Sequence, residues 1–200
     1  MGYWLIKMLA SPFVRLFWVG SVDGLENIPK KGSCIIAANH KSFLDFILLF
    51  VVVPRQTTFL AAEKFFKSPF WLPIMKLTGQ IKVERDAKDK RAVYEAVKKV
   101  FERGGVLGIF PEGTRSRDGK MHKAFSGISK FSHMYNVPVV PVGIQGTFHA
   151  WPPHQRKPKF KKCSVHFGKI LSVTNDSYDT ATAMIMRHIA ELANETYEET

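Results

Sequence analysis

His40 and Asp45 lie five residues apart in the segment Asn39-His40-Lys41-Ser42-Phe43-Leu44-Asp45. The segment follows an apolar run, residues 33–38, that reads as a buried strand, and it enters an apolar stretch that reads as a helix. Across such a turn a carboxylate can reach one imidazole nitrogen. That contact would fix the ring's tautomer, stabilise the imidazolium that forms, and leave the other nitrogen free to take a proton. No serine or cysteine is needed beside such a pair, because the nucleophile can be a hydroxyl of the substrate. The same residues also suit a plain capped helix, with Ser42 as cap, Asp45 favourable in the first turn and His40 incidental. On spacing alone the capped helix is the commoner outcome.

A second loop carries what an anion needs. The strand-like residues 106–110 run directly into Pro111-Glu112-Gly113-Thr114-Arg115-Ser116-Arg117. Gly113 permits close backbone approach, Thr114 offers a hydroxyl, and Arg115 and Arg117 present planar forks suited to phosphate oxygens. Glu112 is placed to accept from an arginine and hold it. Arg85, after Lys82-Val83-Glu84, would add a third positive group from a neighbouring strand end. A solvated turn and a surface ion pair of little energetic weight are the plainer readings.

Other chemistries find no support. The sequence holds no GxxxxGK[ST] loop, no GxGxxG after a strand and no GxSxG elbow. The remaining histidines show no zinc spacing and read as surface or packed residues. Two cysteines, Cys34 and Cys163, are too few for a disulfide framework and point to a reducing compartment.

The elements that must position these loops alternate along the chain. Strands are expected at residues 33–38, 57–62, 81–83, 106–110, 138–142 and 163–167. Helices are expected at 42–53, 88–103, 126–135 and 177–197, with short helices between Glu63 and Gly79 broken by Pro69 and Pro73. Strands separated by helices imply one α/β domain with a largely parallel central sheet covered on both faces. In such sheets chemistry gathers in loops beyond the carboxyl ends of the strands, where both candidate loops fall.

Residues 1–20 are expected to stand apart as an amphipathic helix at a membrane interface, leaving 21–200 as the domain. The first nineteen residues are nearly all apolar, yet Lys7, Pro12 and Arg15 interrupt them, which argues against a membrane span. The charges sit inside the apolar run and Trp18 follows it, which argues against a signal peptide. Lys7, Ser11 and Arg15 recur every four residues and would form one polar stripe among lipid headgroups; a helix packed on the domain's own core is the plainer reading.

Charge supports an anionic partner. The chain has 29 Lys and Arg against 17 Asp and Glu, a net charge of +12. Basic residues cluster beside apolar ones, as in Lys64-Phe65-Phe66-Lys67 and residues 157–162. That favours a lipid surface over nucleic acid.

Taken together, the motifs resemble a known family. Residues 39–45 resemble the NHxxxxD block of the glycerolipid acyltransferases, and residues 110–116 resemble that family's EGTR block. Residues 81–85 resemble the arginine-ending block between them, with Glu84 where many members carry Asp. Residues 137–144 resemble the proline-containing strand that follows, and Lys123-Ala124-Phe125-Ser126-Gly127 resembles the family's basic helix start. The closest subgroup is the 1-acylglycerol-3-phosphate (lysophosphatidate) acyltransferases of bacterial type.

The resemblance implies acyl transfer from a thioester to the free hydroxyl of 1-acylglycerol 3-phosphate, giving phosphatidate. His40 would be the general base and Asp45 its orienting partner. Arg85, Glu112, Gly113, Thr114, Arg115 and Lys123 would bind the acceptor, and residues 137–144 would help line the acyl site. No metal and no resident cofactor is implied, since acyl-CoA or acyl-acyl carrier protein is itself a substrate. The expected place is the cytoplasmic face of a membrane, held monotopically. Alternatives are the same transfer onto another lysophospholipid or glycerol 3-phosphate, or a non-catalytic lipid- or nucleic-acid-binding protein.

Overall fold

The structure, a computed structural model, describes residues 1–84, 89–173 and 176–197. In chain order its helices and strands are α1 (Gly2–Phe17), β1 (Val19–Asp23), β2 (Cys34–Ala38), α2 (Phe43–Val52), β3 (Thr57–Ala62), α3 (Glu63–Lys67), α4 (Trp71–Thr78), β4 (Ile81–Val83), α5 (Arg91–Glu102), β5 (Val106–Ile109), α6 (Gly127–Tyr135), β6 (Val139–Gln145), α7 (Thr147–Ala150), β7 (Cys163–Phe167) and α8 (Tyr178–Ala193).

The strands form one sheet in the order β1-β7-β6-β2-β5-β3-β4. Every neighbouring pair is parallel except β6 with β7. β2 sits at the centre, and all five of its residues are buried. Its side chains alternate between two cores, as a strand's period of two requires. Cys34, Ile36 and Ala38 join Leu44, Leu48 and Val52 of α2 on one face. Ile35 and Ala37 join Val97 of α5, Ile128 of α6 and Ile185 of α8 on the other. The expected α/β domain is therefore present, with helices on both faces of a mostly parallel sheet.

Three boundaries differ from the sequence reading, the first two for a long-range reason. β1 begins at Val19 and pairs with β7, so a boundary at 20/21 falls inside a strand. β6 runs on to Gln145 because Val142–Gln145 pair with β7. α8 ends earlier than expected, at Ala193, where Asn194 takes the left-handed conformation (φ 55°) that closes a helix.

α1 also departs from expectation. Tyr3, Val14 and Trp18 are buried in the same core as α2. Lys7 is turned inward: its Nζ donates to the Val53 carbonyl, and burial pushes its pKa down to about 8. Ser11 Oγ donates back to the Lys7 carbonyl at 2.6 Å. Lys7 and Ser11 thus belong to the protein-facing seam and not to a headgroup stripe; only Arg15 of the three is exposed. The outward face is apolar instead, with Leu5, Met8, Leu9, Phe13 and Leu16 each more than half exposed.

The close seat of α8 on β6 gives a stability prediction. A Cβ on Gly143 would lie 2.2 Å from the Leu192 carbonyl carbon and 2.3 Å from the Ala193 nitrogen. Those atoms are backbone, so helix and strand must separate to admit a methyl group. Gly143→Ala is expected to lose roughly 2–3 kcal/mol, read as a fall of about 5–10 °C in thermal midpoint. An unchanged midpoint would show that the helix is not seated this tightly.

Candidate active site

β2 and β5 are parallel neighbours with Ala37 opposite Ile109, so the loops leaving their carboxyl ends emerge side by side. One carries His40 and the other Phe110 to Arg115. The His40 ring stacks on Phe110, with centroids 4.0 Å apart and planes 15° from parallel. Phe59 lies beyond Phe110 in the same orientation, at 6.1 Å and 18°.

Asp45 is fully buried in the first turn of α2. Its Oδ2 accepts from the Lys41 N–H at 2.7 Å and the Ser42 N–H at 2.7 Å, and meets His40 Nδ1 at 3.0 Å. Ser42 Oγ accepts from the Leu44 N–H at 3.0 Å and donates to the Trp151 carbonyl at 2.6 Å. The capped helix and the His–Asp pair are thus one arrangement: the cap fixes the carboxylate, and the carboxylate fixes the ring. With Nδ1–H directed at Asp45, the neutral imidazole presents its lone pair at Nε2. Nε2 makes no hydrogen bond among the described residues, and the His40 side chain keeps 17% of its exposure. Asp45 Oδ1 is buried and has no hydrogen-bond partner among them.

The His40 backbone is held by the second loop. Its N–H donates to Glu112 Oε1 at 2.8 Å, and its carbonyl accepts from the Ser116 N–H at 2.8 Å. Glu112 Oε2 accepts from the His122 N–H at 3.0 Å. This corrects the expectation that Glu112 holds an arginine or binds substrate. Both of its oxygens are taken by backbone donors, and the residue is 2% exposed.

Burial outweighs those two donors and pushes the Glu112 pKa up to about 7. The folded state therefore binds the Glu112 proton more tightly than the unfolded chain does. Stability owed to this group is full below the ordinary carboxylate range and falls as pH rises towards 7, by roughly 3 kcal/mol in all. Thermal unfolding at pH 5 and pH 8 should show wild type losing ground to Glu112→Gln across that interval. A gap independent of pH would mean the carboxyl is ionised throughout.

Gly113 stands at φ +65°, and a Cβ there would lie 3.0 Å from the Phe125 ring. Its N–H donates to the Phe110 carbonyl at 2.9 Å. A tight turn closed against an aromatic ring thus needs glycine on both counts. Thr114 and Arg117 are exposed, and Arg115 is partly buried. Desolvation lowers the Arg115 pKa while the Asp45 charge opposes the change. Lys123 is exposed farther along the same connection. Arg85 lies outside the described residues.

Residues expected beside an acyl chain are placed otherwise. Val139, Val140 and Val142 of β6 have no exposure and fill the two cores. The partly exposed apolar surface near His40 is aromatic: the Phe43 ring lies 5.7 Å from Phe65, 5.1 Å from Trp71 and 5.7 Å from Trp151.

Asn39 was a motif letter without a task in the sequence. Buried, it accepts from the Ile144 N–H at 2.8 Å and donates to the Ile144 carbonyl at 2.9 Å. Its amide extends the ladder to β6 by one rung, so the main chain can leave the sheet at His40 and turn towards Glu112. Its only signal in the sequence was an amide directly after a fully apolar strand. Among the described residues no cluster of His, Cys, Asp or Glu could hold a metal ion.

The chain is similar to known proteins. A family model described as Acyltransferase matches residues 21–145. A chloroplastic 1-acyl-sn-glycerol-3-phosphate acyltransferase of Brassica napus is 30% identical over 154 residues, covering 75% of this chain and 44% of the relative. The 1-acyl-sn-glycerol-3-phosphate acyltransferase of Borreliella burgdorferi is 32% identical over 146 residues, covering 71% and 58%. The chain thus spans about half the length of these curated relatives. The crystal structure of the 1-acyl-sn-glycerophosphate acyltransferase PlsC from Thermotoga maritima superposes with a TM-score of 0.79 at 27% identity, over 98% of this chain and 81% of that one. By the match over residues 21–145, with both motif loops inside it, this chain belongs to the acyltransferase family.

Proposed function

We propose that this protein transfers an acyl group from a thioester to the free hydroxyl of 1-acylglycerol 3-phosphate, giving phosphatidate and a free thiol. The observation that carries the reading is the His40–Asp45 pair, its Nε2 unengaged, directly beside a glycine-and-arginine turn suited to phosphate. The names of the relatives point to the same acceptor.

In this mechanism His40 Nε2 takes the hydroxyl proton as the oxygen bonds to the thioester carbonyl carbon. The tetrahedral adduct then collapses, the carbon–sulfur bond breaks, and the leaving sulfur receives the proton from His40. No acyl-enzyme forms. Asp45 keeps Nδ1–H in place and balances the imidazolium between the two proton transfers. The Gly113-Thr114-Arg115 turn holds the acceptor phosphate, with Arg85 and Lys123 as further cations. The thioester carrier, coenzyme A or acyl carrier protein, is a co-substrate, and the aromatic surface at Phe43 receives its chain.

On this reading the reaction runs at the cytoplasmic face of a membrane. Among the described residues no helix is long and apolar enough to cross one. The apolar outward face of α1 suits a helix lying in the interface, where both lipids reside.

Phosphate recognition separates from chemistry in steady-state kinetics with acceptor and donor varied in turn. Arg115→Ala should raise the acceptor KM roughly 10- to 100-fold, the worth of a charge-assisted contact. Arg115→Lys should restore only part, since an ammonium makes no bidentate contact. The thioester KM should barely move. An acceptor KM untouched in both variants would place the phosphate elsewhere and favour a neutral acceptor.

A further inference from the structure

We infer that residues 155–162 form a second lipid contact, one that reads the negative charge of the membrane beside the apolar face of α1. The inference rests on the proposed membrane placement of α1 and is independent of the acyl-transfer chemistry. α1 supplies apolar area but little charge, because Lys7 is turned into the protein and Arg15 is its one other basic residue. Affinity for an anionic leaflet has to come from elsewhere.

The segment Gln155-Arg156-Lys157-Pro158-Lys159-Phe160-Lys161-Lys162 contains five basic residues and no acidic one. Lys162 is already engaged, its Nζ donating to the Arg15, Leu16 and Val19 carbonyls at 3.1, 2.7 and 2.9 Å. It satisfies the open carboxyl end of α1 and fastens the segment there. The Trp18 indole N–H donates to the Lys159 carbonyl at 2.9 Å, and the Lys159 N–H donates to the Ala150 carbonyl at 2.7 Å. The path of the backbone is thus fixed from both sides.

Phe160 stays 71% exposed. Its ring lies 4.6 Å from Phe17 and 5.8 Å from Trp18, and Phe13 lies 4.6 Å from Phe17. The aromatic string therefore continues the outward face of α1 without a break. Lys157, Lys159 and Lys161 are exposed around it. An aromatic ring held out of the core between cations, with no acid beside them, has the chemistry of an interfacial anchor. The ring enters the headgroup boundary while the ammonium groups meet lipid phosphates.

The test is sedimentation of the full chain with phosphatidylcholine vesicles, with and without phosphatidylglycerol, at low and high salt. The triple variant Lys157→Gln, Lys159→Gln, Lys161→Gln should lose roughly tenfold or more in partition onto phosphatidylglycerol vesicles at low salt. It should match wild type on phosphatidylcholine alone. Phe160→Ser should weaken both by several-fold, as should Phe13→Ser on α1. Unchanged thermal midpoints show that the variants fold. Wild-type partition of the triple variant onto anionic vesicles would overturn the inference. So would a triple variant that keeps its vesicle binding but loses binding to a DNA duplex, since the cations would then serve nucleic acid. Failure of acyl transfer in wild type would count against the proposed reaction and leave the vesicle result standing.

Discussion

His40→Ala is expected to lower phosphatidate formation by roughly 10²–10⁴-fold, the usual contribution of a positioned general base. The loss should appear in kcat, with both KM values little changed. The fold should survive, because the loop is held through the His40 backbone and not its ring. Glu112 takes the N–H and Ser116 supplies the carbonyl's donor, and both bonds persist in alanine. Asp45 likewise keeps its two backbone donors from Lys41 and Ser42. What disappears is the stack on Phe110 and the contact with Asp45 Oδ2. Near-normal turnover in this variant, measured with labelled thioester, would remove His40 from the mechanism.

Asp45→Asn should cost about 10²-fold or more in kcat while the helix cap stays intact. Asparagine is nearly isosteric, and its amide oxygen can occupy the Oδ2 position facing the Lys41 and Ser42 N–H groups. The amide nitrogen then falls where Oδ1 lies buried without a partner, so no existing bond is broken. The His40 tautomer is still held, but no negative charge balances the imidazolium during transfer. The readout that a purely structural part would not move is the split between parameters: kcat falls, KM for both substrates holds, and the thermal midpoint shifts little. A fall in midpoint with unchanged kcat would make Asp45 a capping residue only.

The His40–Asp45 pair and the turn from Gly113 to Arg115 were legible in the sequence because each is local. Asp45 reaches His40 across one turn, and Gly113 to Arg115 are contiguous. The parallel sheet was legible because apolar runs alternate with amphipathic helices. What was not legible depends on residues distant in sequence. Glu112 is committed to the backbones of His40 and His122, 72 and 10 residues away. Asn39 pairs with Ile144 across 105 residues. The inward turn of Lys7 is set by the Val53 carbonyl at the end of α2. Helical spacing set Lys7 and Ser11 on one side of the helix, but nothing local says that this side turns into the protein while Arg15 stays exposed. Removing residues 1–19 is accordingly a poor probe of membrane binding, since it would strip Tyr3, Val14 and Trp18 from the core.

Acyl transfer to a hydroxyl beside a bound phosphate is tested most directly by one product analysis. Purified protein is given labelled acyl thioester with lysophosphatidate, with glycerol 3-phosphate and with neutral lysolipids in parallel, and the lipids are separated. The expected result is label in phosphatidate, formed fastest from lysophosphatidate and in step with thiol release. Label passing mainly to a neutral lysolipid, or thiol release without any acylated lipid, would contradict the account.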